Sequence, residues 1–162
     1  MNLTMRAIAI TVSDRCAQGV QEDVSGRVLR ELLRAAGAEI IAQVIVADDL
    51  EPLTQALRDY ADGGSVNLIV TTGGTGLAAR DNTPEATRAV ITREVPGLAE
   101  AMRAASLSAT PLAMLSRAVC GTRNGTLIIN LPGSPKGVRE CFQVVQPVLR
   151  HAINLLGGDT SH

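Results

Sequence analysis

Two acidic residues and a run of glycines carry the chemistry that can be read from this chain. Asp48 follows the apolar stretch Val44-Ile45-Val46, and Asp81 follows Gly73, Gly74, Thr75 and Gly76. The glycines come two threonines after Val66, Leu68, Ile69 and Val70, an apolar run suited to a buried strand. A helix start follows, with Thr83 as N-cap and Pro84 in the first helical position. A glycine-rich turn between strand and helix lets backbone N–H groups approach an anion without Cβ atoms in the way. A carboxylate beside such a site repels the anion unless a cation bridges them, and Mg²⁺ commonly takes one or two carboxylates together with substrate phosphates. These residue types point to a phosphate site with a metal. The pattern is neither G-x-x-x-x-G-K-[ST] nor G-x-G-x-x-G. A plain strand-to-helix turn, with Asp81 as a turn residue, is the alternative.

Such residues need a scaffold to bring them together. Residues 6–12 and 39–46 read as strands, with a loop over 13–24 and a helix over 25–36 that Gly37 stops. Asp48 or Asp49 opens a helix to about residue 61. After Pro84 a helix runs to about residue 94, then a break at Pro96-Gly97 and a further helical stretch to about residue 108. Asn124-Gly125, between two strand-like segments, predicts a hairpin within 117–131. A final helix starts at Ser134-Pro135 and reaches about residue 156, with a disturbance expected at Pro147. Strands alternating with helices predict an α/β, mostly parallel doubly wound sheet with an added β-hairpin. Ligands of such sheets gather at the carboxyl ends of strands. The ends in question are 13–14, 48–49, 73–81 and 130–133, all polar or glycine-rich.

A chain of 162 residues is read as a single domain, 1–162, burying about 70% of its unfolded surface. The formal net charge of −1 offers no field to steer nucleic acid or anionic lipid. Tyr60 and Phe142 are the only aromatic residues, too few for stacking on single-stranded nucleic acid. Cys16, Cys120 and Cys141 show no C-x-x-C spacing and read as small buried or semi-buried thiols. A catalytic thiol would have only His151 and His162 as candidate bases. No stretch approaches membrane-spanning length, so a cytoplasmic protein is expected.

The strand ends spell TVSD at 11–14, VADD at 46–49, TTGGTG at 71–76, RDNTPEAT at 80–87, MLSR at 114–117 and IINLPGSPKG at 128–137. In this order, over essentially the whole chain, they closely resemble the MoaB/Mog family of molybdenum cofactor biosynthesis. The stand-alone molybdopterin adenylyltransferase branch is the nearer match. The resemblance implies a three-layer α/β fold, assembled as a homotrimer or in some relatives a hexamer. It also implies a reaction in which ATP and molybdopterin give adenylylated molybdopterin and pyrophosphate, with Mg²⁺, and contact with the enzyme that inserts molybdate.

By position, the resemblance makes Asp48 and Asp81 the essential metal-holding acids, with Asp49 the open alternative to Asp48. Gly73, Gly74, Thr75 and Gly76 match the phosphate-contacting loop. Ser116 and Asn130 fall where the family contacts the pterin, Pro132 and Gly133 continue that strand end, and Ser13 lies on a similar substrate side. Each has a structural alternative. Asp48 with Glu51 fits an acidic capping box, Asp81 can accept turn hydrogen bonds, and Ser13, Ser116 and Asn130 can satisfy backbone at strand ends. A non-catalytic molybdopterin-binding carrier is the alternative to the enzyme.

Overall fold

The computed structural model describes residues 2–161, so His162, one of the two candidate bases, lies outside the described residues. Four apolar runs supply parallel strands: β1 (Arg6–Val12), β2 (Glu39–Val46), β3 (Leu68–Thr72) and the later β6 (Thr126–Leu131). Two antiparallel strands, β4 (Arg93–Glu94) and β5 (Cys120–Arg123), extend the sheet beyond β6. The described residues form one six-stranded sheet in the order β2-β1-β3-β6-β5-β4. The central strands β3 and β6 are buried along their whole length. That explains their near-continuous apolar sequence, since both faces of a parallel sheet are covered.

The period of two along each strand divides the core into two layers. Ala7, Ala9, Leu68, Val70, Leu127 and Ile129 face a cluster built with α2 (Val24–Ala35), α5 (Pro96–Leu107) and α6 (Pro135–Leu156). Ile8, Ile10, Ile69 and Ile128 face the opposite cluster, with Leu53 and Leu57 of α3 (Leu50–Asp62) and Val90 of α4 (Thr83–Val90). The small alanines of β1 lie on the side that also holds Phe142. The result is the three-layer α/β architecture expected, with the hairpin in place. Its turn residues Asn124 and Gly125 have φ of 47° and 76°, the positive values that a two-residue type I′ connection requires.

Three local expectations are corrected. The loop over 13–24 contains a short helix, α1 (Asp14–Ala17), because the Ser13 hydroxyl accepts from the Cys16 N–H at 3.2 Å and caps it. The helix expected to reach residue 94 stops at Val90. Thr92 and Val95 instead donate their N–H groups to the carbonyls of Thr122 and Cys120, each at 2.8 Å, which makes the intervening Arg93 and Glu94 an edge strand. Pro147 leaves α6 unbroken from Pro135 to Leu156. Pro147 and Gln143, four residues earlier, both lie on the exposed face, so the carbonyl that loses its intrahelical donor meets water.

Phe142→Ala should therefore lower stability by about 3–5 kcal/mol in urea unfolding. Pro147→Ala, which restores an N–H on the wet face of α6, should raise it.

Candidate active site

The strand ends converge on a cleft of about 480 Å³. Its walls come from Val12 and Ser13 at the end of β1, Glu22 and Asp23 just before α2, Asp48 after β2, Gly73, Gly74 and Asp81 after β3, and Gly133 after β6. Val24, Ser25, Ser134 and Pro135 place the N-terminal turns of α2 and α6 on the same cleft. Helix N-termini carry partial positive charge and so favour an anion. The α2 terminus is already capped by an acid, since Asp23 Oδ1 accepts the Gly26 N–H at 2.8 Å, whereas α6 is capped by the neutral Ser134 hydroxyl. Asp48 and Asp81 therefore share one opening with the glycine loop and the α6 N-terminus, the features suited to phosphate.

The glycines are needed where they stand. A Cβ on Gly73 (φ 101°) would come 2.4 Å from the Val12 carbonyl oxygen, so β1 and β3 approach backbone to backbone. A Cβ on Gly74 (φ 68°) would lie 2.3 Å from the Thr83 hydroxyl and 3.4 Å from Asp48 Oδ1. One on Gly76 would lie 2.8 Å from Asp81 Oδ2. The glycine loop thus packs directly against both acids. Not every amide of the loop faces the cleft as expected, because the Gly73 N–H is committed to the Leu131 carbonyl at 3.2 Å. Thr83 does not cap α4 either; Asn82 occupies the N-cap position, and the Thr83 hydroxyl donates to the Gly73 carbonyl at 2.8 Å, holding the loop.

Asp48 is half-buried and clamped. Its Oδ2 accepts from the Asp14 N–H at 2.9 Å, and its own N–H donates to Asp14 Oδ1 at 2.9 Å. The Asn82 side-chain amide donates to the Asp48 carbonyl at 3.2 Å. Burial pushes the Asp48 carboxyl above its ordinary value; the negative charges of Asp14 and Asp81 add to that, and the Asp14 N–H opposes it. Asp48 does not cap α3. Asp49 holds the N-cap position without a side-chain cap bond and turns outward to Arg80 at 3.0 Å. This geometry puts Asp48, not Asp49, in the cleft.

Asp81 is also half-buried, and its Oδ2 accepts from the Ala78 N–H at 2.9 Å, so the turn role and the place in the cleft coexist. The turn is pinned by Arg117. Its Nε donates to the Gly76 carbonyl and its Nη2 to the Asp81 carbonyl, each at 2.8 Å, while Nη1 pairs with Glu85. Arg117 is spent on the loop and is not aimed at a ligand. Among the described residues no group of three or more His, Cys, Asp or Glu side chains is arranged to hold a metal by itself. The two oxygen donors suit a hard cation whose remaining ligands come from phosphate and water.

A second cavity, also about 480 Å³, lies across the glycine loop. Thr75, Gly76, Ser116 and Pro132 line it, together with Met102, Arg103 and Cys141. Ser134 borders both spaces. Asn130 reaches neither. It is fully buried; its Oδ1 accepts from the Val119 N–H at 3.1 Å, and its Nδ2 donates to the hydroxyls of Thr71 at 3.1 Å and Thr87 at 3.0 Å. The Asn130 amide is thus consumed inside the sheet, the structural role that the sequence offered as its alternative. The thiols of Cys120 and Cys141 are buried, with Cys120 pushed up to about 12 by that burial, which leaves no activated sulfur there.

The sequence model of the family described as a probable molybdopterin binding domain matches residues 8–151. The chain belongs to that family. It is 42% identical over 158 residues to the molybdopterin adenylyltransferase of Helicobacter pylori strain J99, covering 96% of this chain and 90% of that one. It is 44% identical over 154 residues to the Drosophila melanogaster molybdenum cofactor synthesis protein cinnamon, covering 94% of this chain but spanning only 26% of that longer protein. Among solved structures, the molybdopterin biosynthesis enzyme MoaB from Thermus thermophilus superposes with a TM-score of 0.90. It is 49% identical, with 96% of this chain and 98% of that chain covered.

Sequence reasoning put Asp14 and Arg80 at the candidate strand ends, with Arg80 as a charge that could offset phosphate, and missed that the two pair with each other. Arg80 Nε and Nη2 donate to Asp14 Oδ2 and Oδ1 at 2.6 and 2.9 Å, linking the Asp81 turn to the Asp48 clamp. The signal was the charge adjoining each motif, in SD at 13–14 and RD at 80–81.

Because its folded value is raised, Asp48 favours the fold fully only below the ordinary carboxylate value of 3.8, and that contribution is lost as pH rises through the raised value. Asp48→Asn should therefore have a higher Tm than the wild type at pH 7, with the gap narrowing as pH falls toward 4. Scanning calorimetry across that range checks the sign.

Proposed function

We propose that this protein is a molybdopterin adenylyltransferase that works with Mg²⁺ in molybdenum cofactor biosynthesis. The observation that carries the reading is the placement of Asp48 and Asp81 on one cleft beside the glycine loop and the N-terminus of α6. The Helicobacter relative bears that name and is covered nearly end to end.

An oxygen of the molybdopterin terminal phosphate attacks the α-phosphorus of ATP. The new P–O bond forms as the bond to the β-phosphate bridging oxygen breaks, and pyrophosphate leaves with that electron pair. Both reactants are anions, so the protein's task is alignment and charge neutralisation, and it needs no nucleophile of its own. Asp48 and Asp81 would hold Mg²⁺, which when bound offsets charge on the phosphates and on departing pyrophosphate. Amides around Gly74 and the first turn of α6 are fixed by the fold before substrate arrives, so their dipoles need little reorganisation. Ser13 and Gly133 border the same cleft, whereas Thr75, Gly76, Ser116 and Pro132 line the neighbouring apolar space and would seat the pterin there. The shared Ser134 lies where the two reactants would meet.

We place the protein in the cytoplasm; among the described residues no helix is long and apolar enough to cross a membrane. A homotrimer, or a hexamer built from it, would cover the exposed Leu77, Leu107, Leu112, Met114 and Leu115. The enzyme that inserts molybdate would receive the product.

Incubation with molybdopterin, ATP and Mg²⁺ should yield adenylylated pterin and pyrophosphate in equal amounts. Asp81→Asn should abolish turnover while leaving molybdopterin binding essentially intact. A wild-type protein that binds molybdopterin but releases no pyrophosphate would instead be a carrier.

A further inference from the structure

Asp14 and Arg80 hold no substrate in the reading above, yet they tie together the two segments that carry its acids. Arg80 neighbours Asp81 in a turn that Arg117 pins through the Gly76 and Asp81 carbonyls. From there its guanidinium crosses to Asp14 in a two-pronged bond of 2.6 and 2.9 Å and reaches Asp49 Oδ1 at 3.0 Å. Asp14 in turn exchanges two hydrogen bonds with Asp48, one through each residue's backbone N–H, both 2.9 Å. A continuous path of short bonds therefore runs from the Asp81 turn through Arg80 and Asp14 to Asp48. Both carboxylates at its ends line the same cleft.

We propose that Arg80 and Asp14 are positioning residues that fix the spacing of the Asp48 and Asp81 carboxylates for a divalent cation. This rests on the adenylyltransferase reading for its activity arm only. The bond pattern sets the geometry the role requires. A guanidinium is planar, and its paired N–H groups match a carboxylate edge, so it fixes distance and orientation together, which a lysine ammonium cannot do. The Arg80 side chain is 57% exposed, so each of these bonds adds little to global stability. What they restrict is the relative movement of two loops. Partners one step removed from a metal commonly change its affinity by about 10–100-fold when removed, although they never touch it.

Position and charge make opposite predictions. If Arg80 acted through its charge alone, Arg80→Lys would behave like the wild type. Arg80→Ala would then bind a divalent cation more tightly, because a repelling charge beside the carboxylates is gone. If Arg80 sets the spacing, both variants bind the cation more weakly. Mn²⁺ serves as the probe, with free ion counted by electron paramagnetic resonance in the presence of an ATP analogue whose α,β-bridge is methylene. We expect the Mn²⁺ Kd to rise about tenfold in both Arg80→Lys and Arg80→Ala. Asp14→Ala, which removes the acceptor for both Arg80 and the Asp48 N–H, should do the same. In turnover assays kcat should fall with the KM for molybdopterin unchanged. Wild-type Mn²⁺ affinity in Arg80→Lys, tighter binding in Arg80→Ala, or no Mn²⁺ binding by the wild type would each overturn the proposal. Melting temperatures measured alongside identify a purely structural role, which lowers Tm without moving the Mn²⁺ Kd and also contradicts it. A wild-type protein that binds Mn²⁺ but releases no pyrophosphate would refute the enzymatic reading alone, and the Mn²⁺ comparison would still decide this one.

Discussion

Like charges held close together at the ends of parallel strands are the constraint on which this structure turns. The charges of Asp14 and Asp81 both act on Asp48, which is partly withdrawn from water as well. Left alone, such a group would take up a proton or swing outward. Here the backbone N–H groups of Asp14 and Ala78 hold the carboxylates in place, and Arg80 offsets part of the charge. The remaining excess of negative charge faces a cleft that Glu22 and Asp23 also border, and that the glycine loop and the N-terminus of α6 close on the side suited to an anion. A cation that satisfies both sides relieves the conflict. That is the physical sense of joining an acidic pair to a phosphate cradle.

The scaffold makes this arrangement possible by being rigid where the site is tense. Gly73 touches the Val12 carbonyl, and a Cβ on Gly133 would sit 3.4 Å from Gly73 Cα, so the ends of β1, β3 and β6 meet without side chains between them. Behind them, Ile8, Ile10, Ile69 and Ile128 on one face and Leu68, Val70, Leu127 and Ile129 on the other anchor the same strands in two apolar layers. Burial of this kind contributes roughly 1.5–3 kcal/mol per large side chain. That reserve lets a few residues at the rim keep an unfavourable charge. Asn130 belongs to the scaffold as well, because it stitches β6 to β3, to α4 and to the segment leading into β5.

Much of the site was legible in the sequence because its signals are local. Glycines that must lie within a few ångströms of a neighbouring backbone leave a compositional mark, and acids placed just after apolar runs fall on strand ends. The hairpin was legible for the same reason, since Asn124 and Gly125 are residues that tolerate positive φ. What stayed hidden depends on distant pairing. Arg80 and Asp14 are separated by 66 residues, and no local pattern announces their bond. Asn130 sits beside Thr71 only because β6 pairs with β3 in a particular register. Its polar character looked like ligand recognition, whereas the register turns it inward. Arg117, next to a candidate pterin contact, is likewise directed by tertiary structure to the Gly76 and Asp81 carbonyls. Pro147 misled in the opposite sense, because exposure on α6 removes the conflict its sequence position suggested.

Everything proposed for the site requires the carboxylates of residues 48 and 81 to share one divalent ion beside the glycine loop. Crystals grown with Mn²⁺ and pyrophosphate, measured at the manganese absorption edge, address that directly. One anomalous peak between those two carboxylates, with phosphate oxygens completing its shell, is the expected result. A peak bound by Asp14 and Asp49 instead, or pyrophosphate ordered in the cleft with no manganese beside it, would overturn the reading.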